Sequence, residues 1–260
     1  MKYYSIKVKE NSVLIEKVGW ITTAEQIPMN VKYTNPRVSF DGKYWYISIG
    51  TETEQPIVEL TDESVGVDVG IKELAICSNG MTFKNINKTK KVKKHEKRLR
   101  RLQRRVSYKY LKNKEGSKFV KTSNIIKIEN QIKLLHRKLA NIRSNHSHQA
   151  TNMIVKTKPS RVVMEILNIK GMMKNKHLSK SIAKQCLYEF KRQMQYKCEF
   201  YGIEFVEADK WYPSSKTCSE CGHIKPKLSL SERVYKCECG LEIDRDFNAS
   251  INLSRYELVV

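Results

Sequence analysis

Apolar and polar residues alternate with a period of two along the first sixty residues. The alternation reverses around Glu10-Asn11 in "SIKVKENSVLIEKV" and around Asp41-Gly42 in "RVSFDGKYWYISIG", which is typical of strands joined by hairpin turns. Pro28, Pro36 and Pro56 divide this region into short pieces. The pattern predicts a small β-barrel or curled sheet over residues 1–60, with "QPIVELTDES" as a linker.

Strands and helices then follow one another. "VGVDVGIKELAICSNGMTF" predicts two short strands joined by a turn and a third strand after Asn79-Gly80, and "RVVMEIL" and "IEFVEAD" predict two more. Apolar residues at helical spacing predict four helices: one around residues 95–111, then about 124–156, about 179–201, and from about 246. The third helix carries Cys186 within its apolar stripe. Strands alternating with helices indicate a mixed α/β sheet.

Residues 84–121 are strongly basic, with 17 Lys or Arg residues against Glu96 and Glu115. The first two helices would pack as a hairpin over about residues 86–156, basic on its outer faces. The whole chain of 260 residues has 49 basic and 27 acidic residues, a formal net charge of +22. A charge of this sign predicts a polyanionic partner, and nucleic acid is favoured over an anionic membrane because no strongly apolar helix face lies beside the basic tract.

Neither a membrane span nor a signal-peptide core is visible, since "MKYYSIKVKE" opens the chain and no run of about eighteen apolar residues exists. A cytoplasmic location is therefore predicted. Reduced thiols are expected there, and three of the seven cysteines, Cys77, Cys186 and Cys198, are interpreted as small buried apolar residues.

The other four cysteines form a clip, Cys218-x2-Cys221 followed after fifteen residues by Cys237-x1-Cys239. Four thiolates on two tight turns can bind one Zn²⁺ tetrahedrally, and they leave no open position for catalysis. The spacing predicts a structural zinc ribbon, with His223 outside the metal shell.

Three acidic residues stand out by their positions. Asp68 lies within "VGVDVG" and Glu165 within "VVMEIL", both apolar strands, while Asp246 opens the last helix and could cap it. Each alone could be a cap or a satisfied core carboxylate. Together, three carboxylates at a sheet end can hold two Mg²⁺ ions for phosphodiester cleavage.

The stretches "VGVDVGIKELAICSNG", "LRRLQRRVS", "VVMEILNIKGM", "WYPSSKTCSECG" and "CECGLEIDRDFNASINL" resemble, in order, the motifs of the TnpB or OrfB family of insertion-sequence proteins, which is related to type V CRISPR effectors. The resemblance covers roughly residues 30–255. It implies a RuvC-like nuclease of RNase H fold with a zinc ribbon inserted before the last acid. By position Asp68, Glu165 and Asp246 are similar to its three catalytic, magnesium-binding acids, with Asp244 as the alternative third acid.

The resemblance also implies a guide RNA from the element's end and a DNA target, held in part by the basic hairpin. The candidate nucleic-acid-binding residues are Arg98, Arg101, Arg104 and Arg105. The implied domains are a wedge-like segment at 1–60, a nuclease domain at 61–210, a zinc ribbon at 211–243, and the last nuclease motif at 244–260.

This sequence departs from the family pattern at three places. Ile166 follows Glu165 where many relatives carry a second acid, and the second cysteine pair is shortened. Relatives usually have about a hundred further residues ahead of the position of Met1, so an N-terminally shortened copy is expected. The hypotheses that remain open are an RNA-guided DNA endonuclease, a nucleic-acid-binding protein or regulator without cleavage, and a DNA-joining transposase.

Overall fold

The computed structural model describes residues 7–229 and 231–257, and the chain divides into two compact units, Met1–Gln55 and Pro56–Val260. The strands of the first unit are β1 (Lys7–Lys9), β2 (Ser12–Ile15), β3 (Gly19–Thr22), β4 (Tyr33–Phe40) and β5 (Trp45–Thr51). The first three form an antiparallel sheet, and β4 pairs with β5 as a separate hairpin.

The turn predicted at Asp41-Gly42 is confirmed, because the Asp41 carboxylate accepts hydrogen bonds from the backbone amides of Lys43 and Tyr44. The predicted barrel is not confirmed. Over residues 7–55 the two sheets share no strand pairing, and no closed barrel forms. Val13 is the one deeply buried apolar residue in that range, so the strands have little core around which a barrel could close.

The second unit is built on a mixed five-stranded sheet in the order β12-β11-β6-β7-β8. Its strands are β6 (Thr61–Val69), β7 (Glu73–Cys77), β8 (Thr82–Lys84), β11 (Pro159–Glu165) and β12 (Glu204–Ala208). Strand β11 is parallel to both β6 and β12, whereas β6, β7 and β8 are antiparallel. The predicted strands are confirmed, but β6 begins at Thr61, inside the segment predicted as a linker.

The remaining elements connect or cover this sheet. They are a 3₁₀ turn (Ile86–Lys88), α1 (Lys90–Lys112), β9 (Lys114–Glu115), β10 (Lys118–Phe119), α2 (Ser123–Val155), α3 (Ile169–Met173), α4 (Ser179–Gln185), α5 (Leu187–Tyr201), β13 (Val234–Lys236), β14 (Glu242–Asp244) and α6 (Arg245–Ser254). Helices α2 and α5 bury one face of the sheet, and α6 packs on the other. No helix in the described ranges is long and apolar enough to cross a membrane.

The predicted hairpin of α1 and α2 is confirmed. Thr89 and Thr122 cap the two helices, each side chain accepting a hydrogen bond from the third backbone amide beyond it. An apolar seam joins the helices through Val92, Leu99, Leu135 and Leu139. At the base of the hairpin Glu96 pairs with Arg143 at 2.9 Å and with Lys184 at 2.7 Å, which links α1 and α2 to α4.

The helix predicted over residues 179–201 is wrong in one respect, because it breaks at Cys186. That residue has a left-handed backbone, with φ of 55°, between α4 and α5. The buried Gln185 side chain donates to the carbonyls of Gly70 and Glu73 and accepts from Asn87. These contacts with distant segments fix the break, and Cys186 is half-buried rather than fully buried.

Candidate active site and metal centre

The four clustered cysteines lie together at the tips of two tight turns. The sulfur atoms of Cys218 and Cys239 are 3.6 Å apart, as are those of Cys221 and Cys237, and all four lie within 4.8 Å of one another. Tetrahedral Zn–S bonds of about 2.3 Å place sulfur atoms about 3.8 Å apart. The cluster therefore fits a structural zinc ion. The His223 side chain stays outside the cluster, while its backbone carbonyl accepts from the amide of Cys218 and its backbone also hydrogen-bonds Cys221.

The cysteine module is joined to α6 by buried amide side chains. Asn248 donates to the carbonyl of Thr217 and accepts from the amide of Ser219. Asn252 donates to the carbonyls of Ser214 and Thr217, both at 2.7 Å. The residues around the first cysteine knuckle and the last helix are thus held in a fixed relation, which the sequence alone did not reveal.

Asp68 and Glu165 extend from adjacent parallel strands. The register pairs Val65 with Val162 and Val67 with Met164, so the next residues along β6 and β11 are Asp68 and Glu165. Val65 and Val67 lie in the core beneath α2 and α5. Because side chains alternate along a strand, both acids lie on the opposite face, which α6 covers.

Helix α6 brings Asp246 to the same place. The backbone of α6 lies directly on Gly66, where an added Cβ would be 2.0 Å from the carbonyl oxygen of Ser250. Arg161, which pairs with Ser64 in the sheet, donates to the carbonyl of Ser254. The helix therefore runs opposite to β6, and Asp246, one turn before Ser250, is directed toward the Asp68 end of the strand.

Asp68 is subject to the charges of the other two acids. Burial raises its pKa well above the ordinary value of 3.8, and the negative charges of Asp246 and Glu165 raise it further, against an opposing effect of Arg245. Burial also raises the pKa of Glu165. Within the described residues neither Asp68 nor Glu165 has a hydrogen-bonding or ion-pair partner for its carboxylate. Asp68 and Glu165 are therefore two carboxylates without protein partners on the same face of the sheet, and the charge of Asp246 acts on Asp68.

Asp244 and Asp246 have different roles at the start of α6. The alternative interpretation of Asp246 as a helix cap does not hold, because the Asp244 carboxylate accepts from the amides of Asp246 and Phe247. The Asp246 carboxylate instead accepts two hydrogen bonds from Arg245, at 3.1 and 3.2 Å, and lies 3.9 Å from Arg233. Asp246 also has a larger effect on the pKa of Asp68 than Asp244 has. Neither arginine was singled out from the sequence.

Basic residues line the helical hairpin. Arg98, Arg101, Arg104 and Arg105 are all exposed on α1, and no ion pair neutralises them in the described part of the chain. A cleft of about 490 Å³ lies at the base of the hairpin. Its cationic residues are Lys88, Lys93, Lys97, Arg100 and Lys184, and its single acid is Glu96, already paired. The cleft residues were missed because helical spacing does not show which cations border the same space.

The structure thus defines a protein with a mixed α/β sheet, acidic residues at the sheet face covered by its last helix, and a four-cysteine module that fits a zinc ribbon. Residues 47–176, half of the chain, match the OrfB_IS605 family model, described as "Probable transposase". Residues 188–253 match the model "Cas12f1-like, TNB domain". The chain therefore belongs to the OrfB or TnpB family, as the resemblance of its motifs predicts.

Two relatives share the name "Putative RNA-guided DNA endonuclease". The protein of Streptomyces pristinaespiralis is 31% identical over 234 residues, which are 90% of this chain and 55% of the relative. InsQ of Escherichia coli K12 is 31% identical over 247 residues, 88% of this chain and 58% of the relative. The chain thus spans about half the length of the curated relatives it matches. The protein chain in a solved Cas12f1-sgRNA-target DNA complex has a similar fold, with a TM-score of 0.59 and 20% sequence identity. The match covers 86% of this chain and 46% of the Cas12f1 chain.

Proposed function

We propose that this chain carries the catalytic part of a transposon-encoded, RNA-guided DNA endonuclease with a RuvC-like nuclease fold of the RNase H type. The observation that carries the proposal is the gathering of Asp68, Glu165 and Asp246 on the face of the sheet covered by α6. The names of the relatives support the same reaction class. The cysteine module, residues 218–239, acts as a structural zinc ribbon.

The three acids suit hard divalent cations such as Mg²⁺, which prefer carboxylate oxygens. Asp68 and Glu165 present unpaired carboxylates from rigid strands, and Asp246 presents its own from the first turn of α6. When bound, paired metal ions activate a water molecule and stabilise the leaving oxygen of a phosphodiester. The contribution of the chain would be to bring these three carboxylates to one metal site, and the burial that raises the pKa values of Asp68 and Glu165 supports this role.

The substrate and guide would be held by the basic surface. Exposed arginines on one helix neutralise backbone phosphates without reading sequence. The cleft at the base of the hairpin adds further cations with a paired acid. We propose that this surface contacts a guide RNA and the DNA target, because the relatives are named as RNA-guided DNA endonucleases.

A nicking assay on supercoiled plasmid tests the proposal. Zinc-loaded protein should nick DNA only with Mg²⁺ present, and Asp68→Ala should lower the rate by at least about 10³-fold, as expected for loss of a group that acts as part of a unit. Asp62→Ala is the matched control, since Asp62 lies at the exposed opposite end of the same strand. If the wild type and Asp68→Ala both bind DNA and both leave it uncut, the chain is a nucleic-acid-binding protein without nuclease activity.

A further inference from the structure

The three carboxylates of the proposed active site differ in their partners. Asp68 and Glu165 have no cation bound to them within the described residues, but Asp246 is bound by an arginine fork. Both Nε and Nη2 of Arg245 donate to the same Asp246 oxygen, while Nη1 of Arg233 approaches the other oxygen at 3.9 Å. Without metal, the third acid is therefore already neutralised by the protein's own cations.

We propose that Arg245 is a built-in counterion of Asp246 and that a divalent metal ion must displace Arg245 from this carboxylate. The displaced guanidinium then binds a phosphate of the nucleic acid. This inference rests on the proposed function. A metal ion bound through Oδ1 of Asp246 needs the lone pairs that Arg245 now occupies, and one bound through Oδ2 would lie close to the guanidinium groups of Arg245 and Arg233. It would also place two further positive charges beside a guanidinium that is only 12% exposed, where little water screens the repulsion.

The surroundings of Arg245 give the guanidinium a second place to bind. Its Nη1 reaches toward the carbonyl of Ser229 at 3.4 Å, and its backbone amide donates to the carbonyl of Arg233. Arg245 thus lies between the proposed active-site acids and two residues of the cysteine module, Ser229 and Arg233. A phosphodiester arriving at the acids would meet a guanidinium whose planar fork matches phosphate oxygens as well as it matches carboxylate.

The exchange couples the two ligands of the site. When a phosphate of the nucleic acid binds Arg245, the Asp246 carboxylate becomes available to a metal ion. By thermodynamic linkage, a metal ion that binds Asp246 releases Arg245 to bind nucleic acid. Arg245 would then be a positioning residue that suppresses metal binding until a phosphate backbone is present. Arg233, farther from the carboxylate and 49% exposed, would add a weaker effect of the same sign.

Manganese titration followed by the electron paramagnetic resonance signal of free Mn²⁺ tests this inference on the zinc-loaded chain. Without nucleic acid, Arg245→Gln should bind Mn²⁺ about tenfold more tightly than the wild type, because a nearby positive charge and a competing donor are removed together. Arg245→Lys keeps the charge without the fork and should lie between them. Arg192→Gln, which removes an exposed guanidinium on α5, is the matched control and should leave the affinity unchanged.

Single-stranded dT12 is the probe for the second half of the exchange. It should raise the Mn²⁺ affinity of the wild type several-fold more than that of Arg245→Gln, after subtraction of Mn²⁺ bound by the oligonucleotide alone. If Arg245→Gln binds Mn²⁺ no more tightly than the wild type while Asp68→Asn loses binding, the exchange is refuted and the metal site stands. If Asp68→Asn binds Mn²⁺ like the wild type, the metal site itself is refuted, and the exchange with it.

Discussion

Gly66→Ala is a severe test of how the last helix completes the site. Gly66 lies in the middle of β6, and a Cβ built there would be 2.0 Å from the carbonyl oxygen of Ser250 and 2.4 Å from the amide of Ser254. Ordinary contacts require about 3.5 Å, so α6 would have to retreat by about 1.5 Å. Both colliding atoms belong to the helix backbone and cannot rotate away.

The magnitude follows from this geometry. Overpacking a close-packed site costs about 1–3 kcal/mol, and a backbone collision of this depth belongs at the upper end, about 3 kcal/mol. For a chain of this size that loss lowers the melting temperature by about 6–12 °C. Displacement of Asp246 from Asp68 by about 1 Å should also lower the nicking rate by about 10²-fold at temperatures where the variant is folded.

Thermal unfolding by circular dichroism, with the nicking assay alongside, measures both effects. Gly70→Ala is the matched control, because it is the same change near the end of the same strand, and its Cβ would meet only the carbonyl of Glu73 at 3.5 Å. If the free energy of unfolding of Gly66→Ala lies within about 1 kcal/mol of the wild-type value and its Mn²⁺ affinity is unchanged, the close packing of α6 on β6 is refuted.

Three further predictions concern the acids, the zinc module and the basic helix. In magnesium-free buffer Asp68→Asn should be more stable than the wild type at pH 8 by about 1 kcal/mol or more. The pKa of Asp68 in the folded protein is raised above 3.8, so its ionisation lowers the free energy of unfolding as pH rises through that raised value. Urea unfolding at pH 5 and pH 8 should show this loss of stability in the wild type and not in the variant. Chelation of zinc should make residues about 210–245 protease-sensitive because metal binding there is folding free energy, and persistent protection would contradict a zinc ribbon. Changing Arg98 and Arg101 together to Gln should reduce the slope of log affinity against log salt by about 2, measured by fluorescence anisotropy with Arg192→Gln as control; an unchanged slope would exclude them from the interface.

The sequence predicted the centre of the fold well because local pattern and tertiary role agree there. Asp68 lies between apolar neighbours on a strand whose two faces are both covered. An acidic residue in such an apolar run is visible in the sequence, and it is also the residue that the chemistry requires. The hairpin of α1 and α2 was predictable for a similar reason, since its apolar seam repeats at helical spacing over many turns.

The errors fall where distant contacts decide the structure. The break at Cys186 depends on the Gln185 side chain binding carbonyls more than a hundred residues away, which helical periodicity cannot reveal. The sequence left open whether Asp246 caps α6, because helix ends are uncertain by a residue or two, and the structure gives that cap to Asp244. Arg245 was overlooked because its role depends on the acids around it.

The position of α6 in chain order has a consequence for biosynthesis. Every strand of the five-stranded sheet is translated before residues 245–254, yet Leu253 of this helix packs against Val163, Val206 and Ala208 on the sheet. A polypeptide released before this helix is made would therefore have an uncovered apolar sheet face, which quality-control proteases can recognise.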